Sequence, residues 1–362
     1  MGTLTTATTY VTAPVNFVLM RQLLETAEEV CPYYNGTQKA TLEPGSGSLS
    51  VKWRRIENLS PATTALSELA GSATAFHLGR TAATPTITDI TATVAKYGNF
   101  ISYTEELDIV NVNSKAMALF DKLGHNAGLT LDILQRNAIN TGATLIRYAG
   151  SVANDSAVGA AMTANDVRAS VNQLDRNVAR KFFAMSDGST KIDSKTLRES
   201  YLGITHVDLE NDIRDMTGFI SVEQYASHTE TYVGEFGAVN GVRWCSTDHA
   251  PISTGAGGAS ANGLRGADVG THDVYVSFIY GQDAIGSVGL GTEHADQIYR
   301  AMKGNPSMVP SVVAINHPPG SAGAADPYNE VGTLSWKAWH AGKVLNNAWV
   351  VELRTAATDY SL

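Results

Sequence analysis

Residues 114–140 read SKAMALFDKLGHNAGLTLDILQRNAIN, and this stretch decides the fold prediction. Apolar side chains recur in it every three or four residues, which is the period of one face of an α-helix. These side chains are Ala116, Phe120, Leu123, Ala127, Leu131, Leu134 and Ala138. Asn113 or Ser114 can cap the start of this helix, and Gly142 can end it. At 1.5 Å per residue, the predicted helix is roughly 40 Å long.

Two glycines, Gly124 and Gly128, lie inside this predicted helix. Each costs about 1 kcal/mol relative to Ala, so we expect a bend there or the close approach of another backbone. The sequence that follows predicts a second amphipathic helix over residues 165–181. The apolar face of the second helix consists of Val167, Val171, Leu174 and Val178.

Alternating apolar and polar residues predict two β-strands before the long helix, at residues 49–53 and 86–94. About thirty residues rich in Ala, Thr, Ser and Gly separate the two strands. A connection of that length is unusual within a compact domain, so we predict a two-stranded projection with little core of its own. Residues 1–45 are predicted to be an arm that carries a short helix over residues 15–30.

After residue 182 the pattern becomes mixed. A strand is predicted at residues 275–280 and a helix at residues 207–215, and the C-terminal residues 332–339 and 348–354 have the β-rich composition of sheet strands. Two segments are predicted to be flexible loops because they are rich in Gly, Ser or Pro: residues 253–260 and residues 318–327. The chain is therefore predicted to have an α+β fold.

The composition excludes several classes of protein. Only 17% of the 362 residues are charged, against about 25% in typical soluble domains, and the net charge is -9. A protein that coats nucleic acid needs clustered Lys and Arg, so a dedicated DNA-binding module is not expected. Neither a signal peptide nor a run of 18 apolar residues is present, so no membrane partner is expected. The two cysteines, Cys31 and Cys245, are too few for a disulfide framework.

The sequence carries no motif of a known active site. No two of the nine histidines have the i, i+4 spacing of a helical zinc site, and glycine motifs for phosphate or dinucleotide binding are absent. His249 follows Asp248, and His272 precedes Asp273, but adjacent residues on a strand point to opposite faces. We therefore predict polar loop residues rather than catalytic pairs. No catalytic residue, metal or cofactor is predicted, and the protein is not expected to be an enzyme.

Two sets of side chains each allow two interpretations. Trp336, Trp339 and Trp349 could stack on sugars or bases, but their apolar surroundings favour core packing. Arg54 and Arg55 follow Trp53 on the predicted projection. These arginines could reach carboxylates of a neighbouring subunit, or they could be a solvated pair.

The order of these parts resembles the major capsid proteins of tailed bacteriophages with the Hong Kong 97-type fold. Within that group the sequence is most similar to the family first described from the coliphage N-four. Five segments carry the resemblance: ATTALSE at 62–68, YGNFIS at 97–102, LGHNA at 123–127, TLD at 130–132 and GTLSWKAW at 332–339. Together they cover much of residues 45–150 and 330–355, whereas residues 145–330 match only in outline.

The resemblance implies a division of the chain into four parts. Residues 1–45 would be the N-terminal arm, and residues 46–104 would be an extended β-hairpin loop that lies over an adjacent subunit. Residues 105–199 and 329–362 would form the peripheral domain with its spine helix at 114–140, and residues 200–328 the axial domain. The resemblance does not single out Lys52 or Lys96 for the covalent cross-link that some relatives of the wider fold form.

The implied function is a major capsid protein. It would assemble in the host bacterial cytoplasm, as pentamers and hexamers, into an icosahedral virion shell that encloses double-stranded DNA. Its partners would be other copies of itself, packaged DNA held weakly, and possible scaffold, decoration and portal proteins. The alternatives are a nanocompartment shell protein with the same fold and, from another class, a hydrolase or carbohydrate-binding protein that uses the tryptophans. The candidate residues for contacts between subunits are Trp53, Arg54, Arg55, Leu66, Glu68, Phe76 and Arg80.

Overall fold

The computed structural model describes residues 31–42, 48–57, 59–63, 83–106, 115–182, 199–225, 231–259, 263–266, 271–290, 312–317, 319, 328 and 330–360. The predicted arm helix at 15–30, the tip of the predicted projection and most of the predicted loop at 318–327 lie outside these residues.

The described residues form three α-helices and three β-sheets. The helices are α1 (Lys115–Gly142), α2 (Ala164–Arg176) and α3 (Glu210–Arg214). The strands are β1 (Gln38–Leu42), β2 (Ser50–Ile56), β3 (Ile87–Thr93), β4 (Ala95–Thr104), β5 (Leu145–Tyr148), β6 (Tyr201–His206), β7 (Ile220–Ser221), β8 (Glu235–Val239), β9 (Val242–Thr247), β10 (Ile252–Ser253), β11 (Val274–Tyr280), β12 (Ile285–Leu290), β13 (Val312–His317), β14 (Val331–Val344) and β15 (Val350–Thr355).

The long helix α1 confirms the main prediction from the sequence. Its apolar face packs on β14, where Leu123 and Leu131 share one core cluster with Leu334 and Trp336. The residues predicted to cap its start lie outside the described part of the chain. Helix α1 ends at Gly142, as predicted. A Cβ atom there would lie 2.6 Å from Val344 Cγ2, so the close approach of β14 requires glycine.

Another part of the chain passes close to α1 at the second of its internal glycines. The Cys31 Sγ–H donates to the Gly128 carbonyl oxygen at 3.4 Å, and a 3-10 turn at Pro32–Tyr34 follows directly. Tyr34 belongs to the same core cluster as Leu123 and Leu131. This contact is made by the Cys31 side chain, so a bend or the close approach of another backbone at Gly124 and Gly128 stays a prediction.

Strand β14 organises the five-stranded sheet that α1 covers. One of its sides pairs antiparallel with β4, and the other pairs antiparallel with β13 and then β12. Strand β1 lies parallel to β12 at the sheet edge. Every second residue of β14 from Gly332 to His340 is buried, which is the period expected of a strand with one face on the core.

The eight-stranded sheet has the order β5-β15-β11-β6-β9-β8-β7, and β10 pairs with the end of β11. All residues of β6 and β11 are buried, as expected for central strands covered on both faces. Strand β15 lies between β5 and β11, so residues 350–355 share this sheet with residues 201–206 and 274–280. The chain thus returns to this sheet at its C-terminal end.

The second helix is shorter than predicted. Helix α2 begins after a capping box, in which the Asp166 backbone N–H donates to the Thr163 hydroxyl, and it ends at Arg176 rather than at residue 181. Val178 has a left-handed φ of 54°, and the Ala179 N–H donates to the Leu174 carbonyl at 3.0 Å. This is a Schellman ending. Val178 is consequently 68% exposed and does not belong to the apolar face of the helix.

Four further predicted elements are present. The predicted helix at 207–215 is a 3-10 turn, Val207–Leu209, continued by α3. The strands predicted near residues 275–280, 332–339 and 348–354 are β11, β14 and β15. Within the described residues, no helix is long and apolar enough to cross a membrane.

Candidate functional site: the projecting hairpin and a buried polar junction

Strands β2 and β3 form the predicted hairpin as a separate two-stranded sheet. Their antiparallel register runs from Ser50 opposite Thr93 to Ile56 opposite Ile87. It places Arg54 opposite Asp89, where the Arg54 Nε–H donates to Asp89 Oδ1 at 2.9 Å. The arginine lowers the pKa of the Asp89 carboxyl below its ordinary value through this hydrogen bond. Such a directly opposed pair of charges is compatible with this register, although an exposed pair contributes little to stability.

The base of the hairpin packs on the five-stranded sheet. Ala92 and Val94 are buried in a cluster with Val288 of β12, and Val51 and Trp53 pack against it. The Trp53 ring comes so close to β12 that a Cβ atom on Gly286 would lie 2.9 Å from Trp53 Cζ2. The base is therefore held rigidly, although only one face of the hairpin is covered.

The far part of the hairpin exposes large apolar side chains. Ile56 is 62% exposed and Ile87 is 52% exposed, and these two residues face each other at the end of the ladder. Leu59, just beyond, is 55% exposed. A two-stranded ribbon with apolar side chains in water is marginal by itself, so this surface suits burial against another molecule.

The structure places three of the seven predicted contact residues on this hairpin. Trp53 packs within the chain, and Arg54 pairs with Asp89. Arg55 binds Glu57 at 2.6 Å, and its Nη1–H donates to the Leu345 carbonyl at 3.0 Å. The other four predicted residues, Leu66, Glu68, Phe76 and Arg80, lie outside the described residues. Contact of any of the seven with another subunit stays a prediction.

The three tryptophans do not form one cluster. Trp336 is buried against α1, and its Nε1–H donates to Asn126 Oδ1 at 3.1 Å. Trp339 packs in the cluster at the hairpin base, and Trp349 packs beside the eight-stranded sheet, where its Nε1–H donates to the Asn177 carbonyl. The preference for core packing is confirmed, and the idea of a shared stacking platform loses its basis.

A polar junction, buried or half-buried except for the exposed Asp248, joins three parts of the chain. We use this name for Tyr33, Asp132, Arg136, Asp248 and His249. Asp132 of α1 accepts a hydrogen bond from the Tyr33 backbone N–H at 2.8 Å, and its second oxygen contacts His249 Nε2. Arg136, one turn later on α1, donates to the His249 carbonyl oxygen. The junction thereby connects the start of the described chain, α1 and the turn after β9.

Asp248 and His249 lie in a loop, as predicted, but the expectation that their side chains point to opposite faces is wrong. His249 Nδ1 lies 2.8 Å from Asp248 Oδ1, although the two residues are adjacent. They lie in a turn after β9 rather than within a strand, so the alternation of faces does not apply to them. His272 was predicted to be a polar loop residue, and it is fully buried beside Asp273. The Asp273 carboxylate accepts from the Gly255 N–H at 2.8 Å, which is a structural role.

Burial and ion pairing shift the pKa values of Asp132 and His249 in opposite directions. Burial raises the pKa of Asp132 to about 6, and the hydrogen bond and charge of His249 offset part of this rise. For His249 the desolvation lowers the pKa, but the two carboxylates of Asp132 and Asp248 together raise it above its ordinary value. Asp248 is exposed, and its pKa is lowered by the same histidine. At a pH between the ordinary and the raised pKa of each group, the folded junction therefore holds a proton that the unfolded chain has released.

This proton binding predicts a pH-dependent difference in stability between the protein and its Asp132→Asn variant. Both Asp132 and His249 have raised pKa values, so their stabilising contribution is present at low pH and is lost as the pH rises through these values, which for Asp132 is about 6. For Asp132 the change is on the order of 2–3 kcal/mol. The free energy of unfolding of the variant should therefore increase relative to that of the wild type as the pH rises. Urea unfolding at several pH values measures this difference.

The stabilities of two proteins are compared because His340 titrates over the same pH range and its effect on stability has the opposite sign. Burial lowers the pKa of His340 to about 4, so the contribution of this residue to the stability of the protein is lost as the pH falls. His340 is present in both proteins and cancels in the difference. A difference that stays constant from pH 4 to 8 would contradict the assigned protonation of the junction.

One position in the sequence indicates the junction. Asp132 directly follows Leu131 on the apolar side of α1, and a buried carboxylate at such a place requires a partner. The partner could not be found from the sequence, because His249 lies 117 residues away. Among the described residues, no group of three or more His, Cys, Asp or Glu side chains could hold a metal ion.

Comparison with solved structures identifies the arrangement. The capsid of Ralstonia phage GP4 matches 91% of this chain and 89% of its own, with a TM-score of 0.63 and 11% identity. The capsid of cyanophage Pam1 covers 90% and 89% with a TM-score of 0.54, and the head of Helicobacter pylori bacteriophage KHP40 covers 90% and 87% with a TM-score of 0.53. Their identities are 13% and 10%.

The chain has a phage capsid fold. No protein-family model matches it. A curated relative, the major capsid protein of Pseudomonas phage KPP21, is 29% identical over 280 residues. That match covers 72% of this chain and 66% of the relative, so the chain spans slightly less than two thirds of the relative's length. The predicted α+β capsid fold is thus confirmed at the level of the fold.

Proposed function

We propose that this protein is a major capsid protein that self-assembles into the icosahedral shell of a tailed phage. The observation that carries the proposal is the capsid fold, which extends over nine tenths of the chain, together with a curated relative that is itself a major capsid protein. The shell would consist of pentamers and hexamers, be assembled in the host cytoplasm and enclose double-stranded DNA. Its role is structural rather than enzymatic.

The hairpin supports the division of the chain that the resemblance implies. We propose that residues 46–104 act as an extended loop that lies over a neighbouring subunit, because the hairpin is anchored at its base and exposes Ile56 and Ile87 at its far part. Residues 1–45 would be the arm. The peripheral domain would comprise 105–199 and 329–362, and the axial domain 200–328.

Electrostatics supports weak contact with DNA. The net charge of -9 gives the wall little attraction for phosphates, which suits a container that must release its contents. Scaffold, decoration and portal proteins are proposed as further partners, in line with the general assembly of such shells. Trp53, Arg54 and Arg55 remain the proposed contact residues on the described part of the hairpin.

Electron microscopy of the purified protein tests the proposal. We expect closed particles with icosahedral symmetry, or ring-shaped pentamers and hexamers, at micromolar concentration. A monodisperse monomer at all concentrations would contradict the proposal. Particles that hold a cargo protein and no DNA when isolated from infected cells would indicate a nanocompartment shell instead.

A further inference from the structure

Five cations line two adjoining clefts beside strands β2 and β3. The clefts share the side chains of Arg55, Ile90 and Leu345, and one of them has a volume of about 410 Å³. A water molecule occupies about 30 Å³, so the space accommodates several side chains rather than one ion. The cations around the clefts are Lys52, Arg54, Arg55, Arg180 and Lys343.

The carboxylates of the same region balance these cations only in part. Arg54 pairs with Asp89 and Arg55 pairs with Glu57, both within 3 Å. Arg180 Nη1 lies 3.8 Å from Asp283 Oδ2. Lys52 and Lys343 add two further positive charges, and both are exposed. This end of the molecule is therefore locally cationic in a chain that carries a net charge of -9.

One of these cations, Lys343, lies near the C-terminal end of β14, and the other end of that strand is acidic. Strands β4 and β14 pair from Ala95 opposite His340 to Thr104 opposite Val331. Directly beyond the end where Thr104 pairs with Val331, the Glu105 N–H donates to the Glu330 carbonyl at 2.8 Å, and Glu106 follows. All three glutamates are exposed. Strand β14 has 14 residues, so the cationic and acidic ends lie roughly 40 Å apart along it.

We propose that the cationic clefts bind the acidic end, Glu105, Glu106 and Glu330, of a second copy of this chain. Opposite charges near the two ends of the long strand β14 favour head-to-tail contact, in which each copy uses two different surfaces. A contact of that kind closes into rings when the rotation between copies allows it. The proposal rests on the proposed capsid function and names the surfaces that one pair of subunits would use.

The cleft surface is also rigid enough for such a contact. Arg55 is held by Glu57 and by the Leu345 carbonyl, and Arg54 is held by Asp89, so little side-chain freedom is lost on binding. The clefts adjoin the packed cluster around Trp53. The incoming carboxylates would therefore meet cations that are already positioned, which favours specificity over non-specific attraction.

Charge reversal at each end, and then at both, tests this proposal. The cleft variant is Lys52→Glu with Lys343→Glu, and the acidic-end variant is Glu105→Lys with Glu106→Lys. All four side chains are exposed, so folding should be unaffected, which the thermal unfolding midpoint checks. We expect each variant to reduce the yield of particles roughly tenfold or more at low salt, and the combined variant to recover most of that yield. The matched control is Lys122→Glu with Lys337→Glu, which changes the net charge equally at exposed positions elsewhere, and it should assemble as the wild type does.

The outcomes separate this proposal from the proposed function. Wild-type yields from both reversed variants, or a combined variant no better than either one, would overturn the pairing and leave the capsid function intact. If the wild type forms no particles, the proposed function fails and the pairing fails with it. If short duplex DNA binds the wild type but not the cleft variant, and the acidic-end variant assembles normally, the clefts bind phosphate and the proposed pairing is wrong.

Discussion

A chain in which a short Gly-Ser linker replaces residues 60–84 is expected to fold and to form no closed particles. The replaced residues lie beyond the last bond of the hairpin ladder, where the Glu57 N–H donates to the Thr86 carbonyl at 2.9 Å. The register of β2 and β3 and the cluster around Trp53 are left in place. The thermal unfolding midpoint should therefore change little, while analytical ultracentrifugation should show subunits or small oligomers in place of particles.

A second replacement provides the control for this experiment. In it, a Gly-Ser segment of the same length replaces residues 60–84, so that the reach of the chain is kept and only the side chains are lost. Loss of particles in both variants would assign the contact to the side chains of the loop, among which are Leu66, Glu68, Phe76 and Arg80. Particles of unchanged size and yield from the shortened variant would contradict the proposed role of the extended loop.

Elements with a local signal could be predicted from the sequence. Helix α1 appears where the apolar period is three to four, and β2 and β3 appear where the period is two, because each pattern reflects one buried face. The ending of α2 was missed, because a left-handed residue at a helix end is normally glycine or asparagine, and here Val178 takes that position. The backbone hydrogen bonds at the C-terminus of α2 outweigh the usual preference for glycine or asparagine at that position.

Long-range pairing could not be predicted in the same way. The parallel contact of β1 with β12 joins residues 38–42 to residues 286–290, and no local pattern encodes that choice. Nor could the sequence predict which sheet β15 joins, because a β-rich composition is typical of strands in either sheet. The polar junction and the charged ends of the β4–β14 ladder likewise depend on this pairing. A candidate surface could therefore be predicted from the sequence only where all of its residues lie on one hairpin.

A buried ion pair in the eight-stranded sheet offers the largest expected change in stability. Arg243 of β9 binds Glu235 of β8, with the Arg243 Nε–H 2.7 Å from Glu235 Oε1. The two side chains are 3% and 0% exposed. The carboxylate also accepts from the Tyr225 hydroxyl at 2.9 Å and from the Tyr232 N–H at 3.0 Å. Glu235 raises the pKa of the Arg243 guanidinium, against the lowering effect of burial.

Replacement of Arg243 by Met is expected to lower the free energy of unfolding by about 3–5 kcal/mol, because it leaves the Glu235 carboxylate buried without a cation. The additional change Glu235→Gln should restore most of that loss, since the amide oxygen can still accept from the Tyr232 N–H, the amide NH2 group can donate to the Tyr225 hydroxyl oxygen, and no charge remains buried. The matched control is Arg54→Met, which removes one partner of an exposed pair and should give no measurable change. Urea unfolding of the four proteins at neutral pH measures these differences. If the double variant is no more stable than Arg243→Met alone, the cost comes from lost packing of the arginine on the Tyr232 ring, 4.4 Å away, rather than from the unpaired charge.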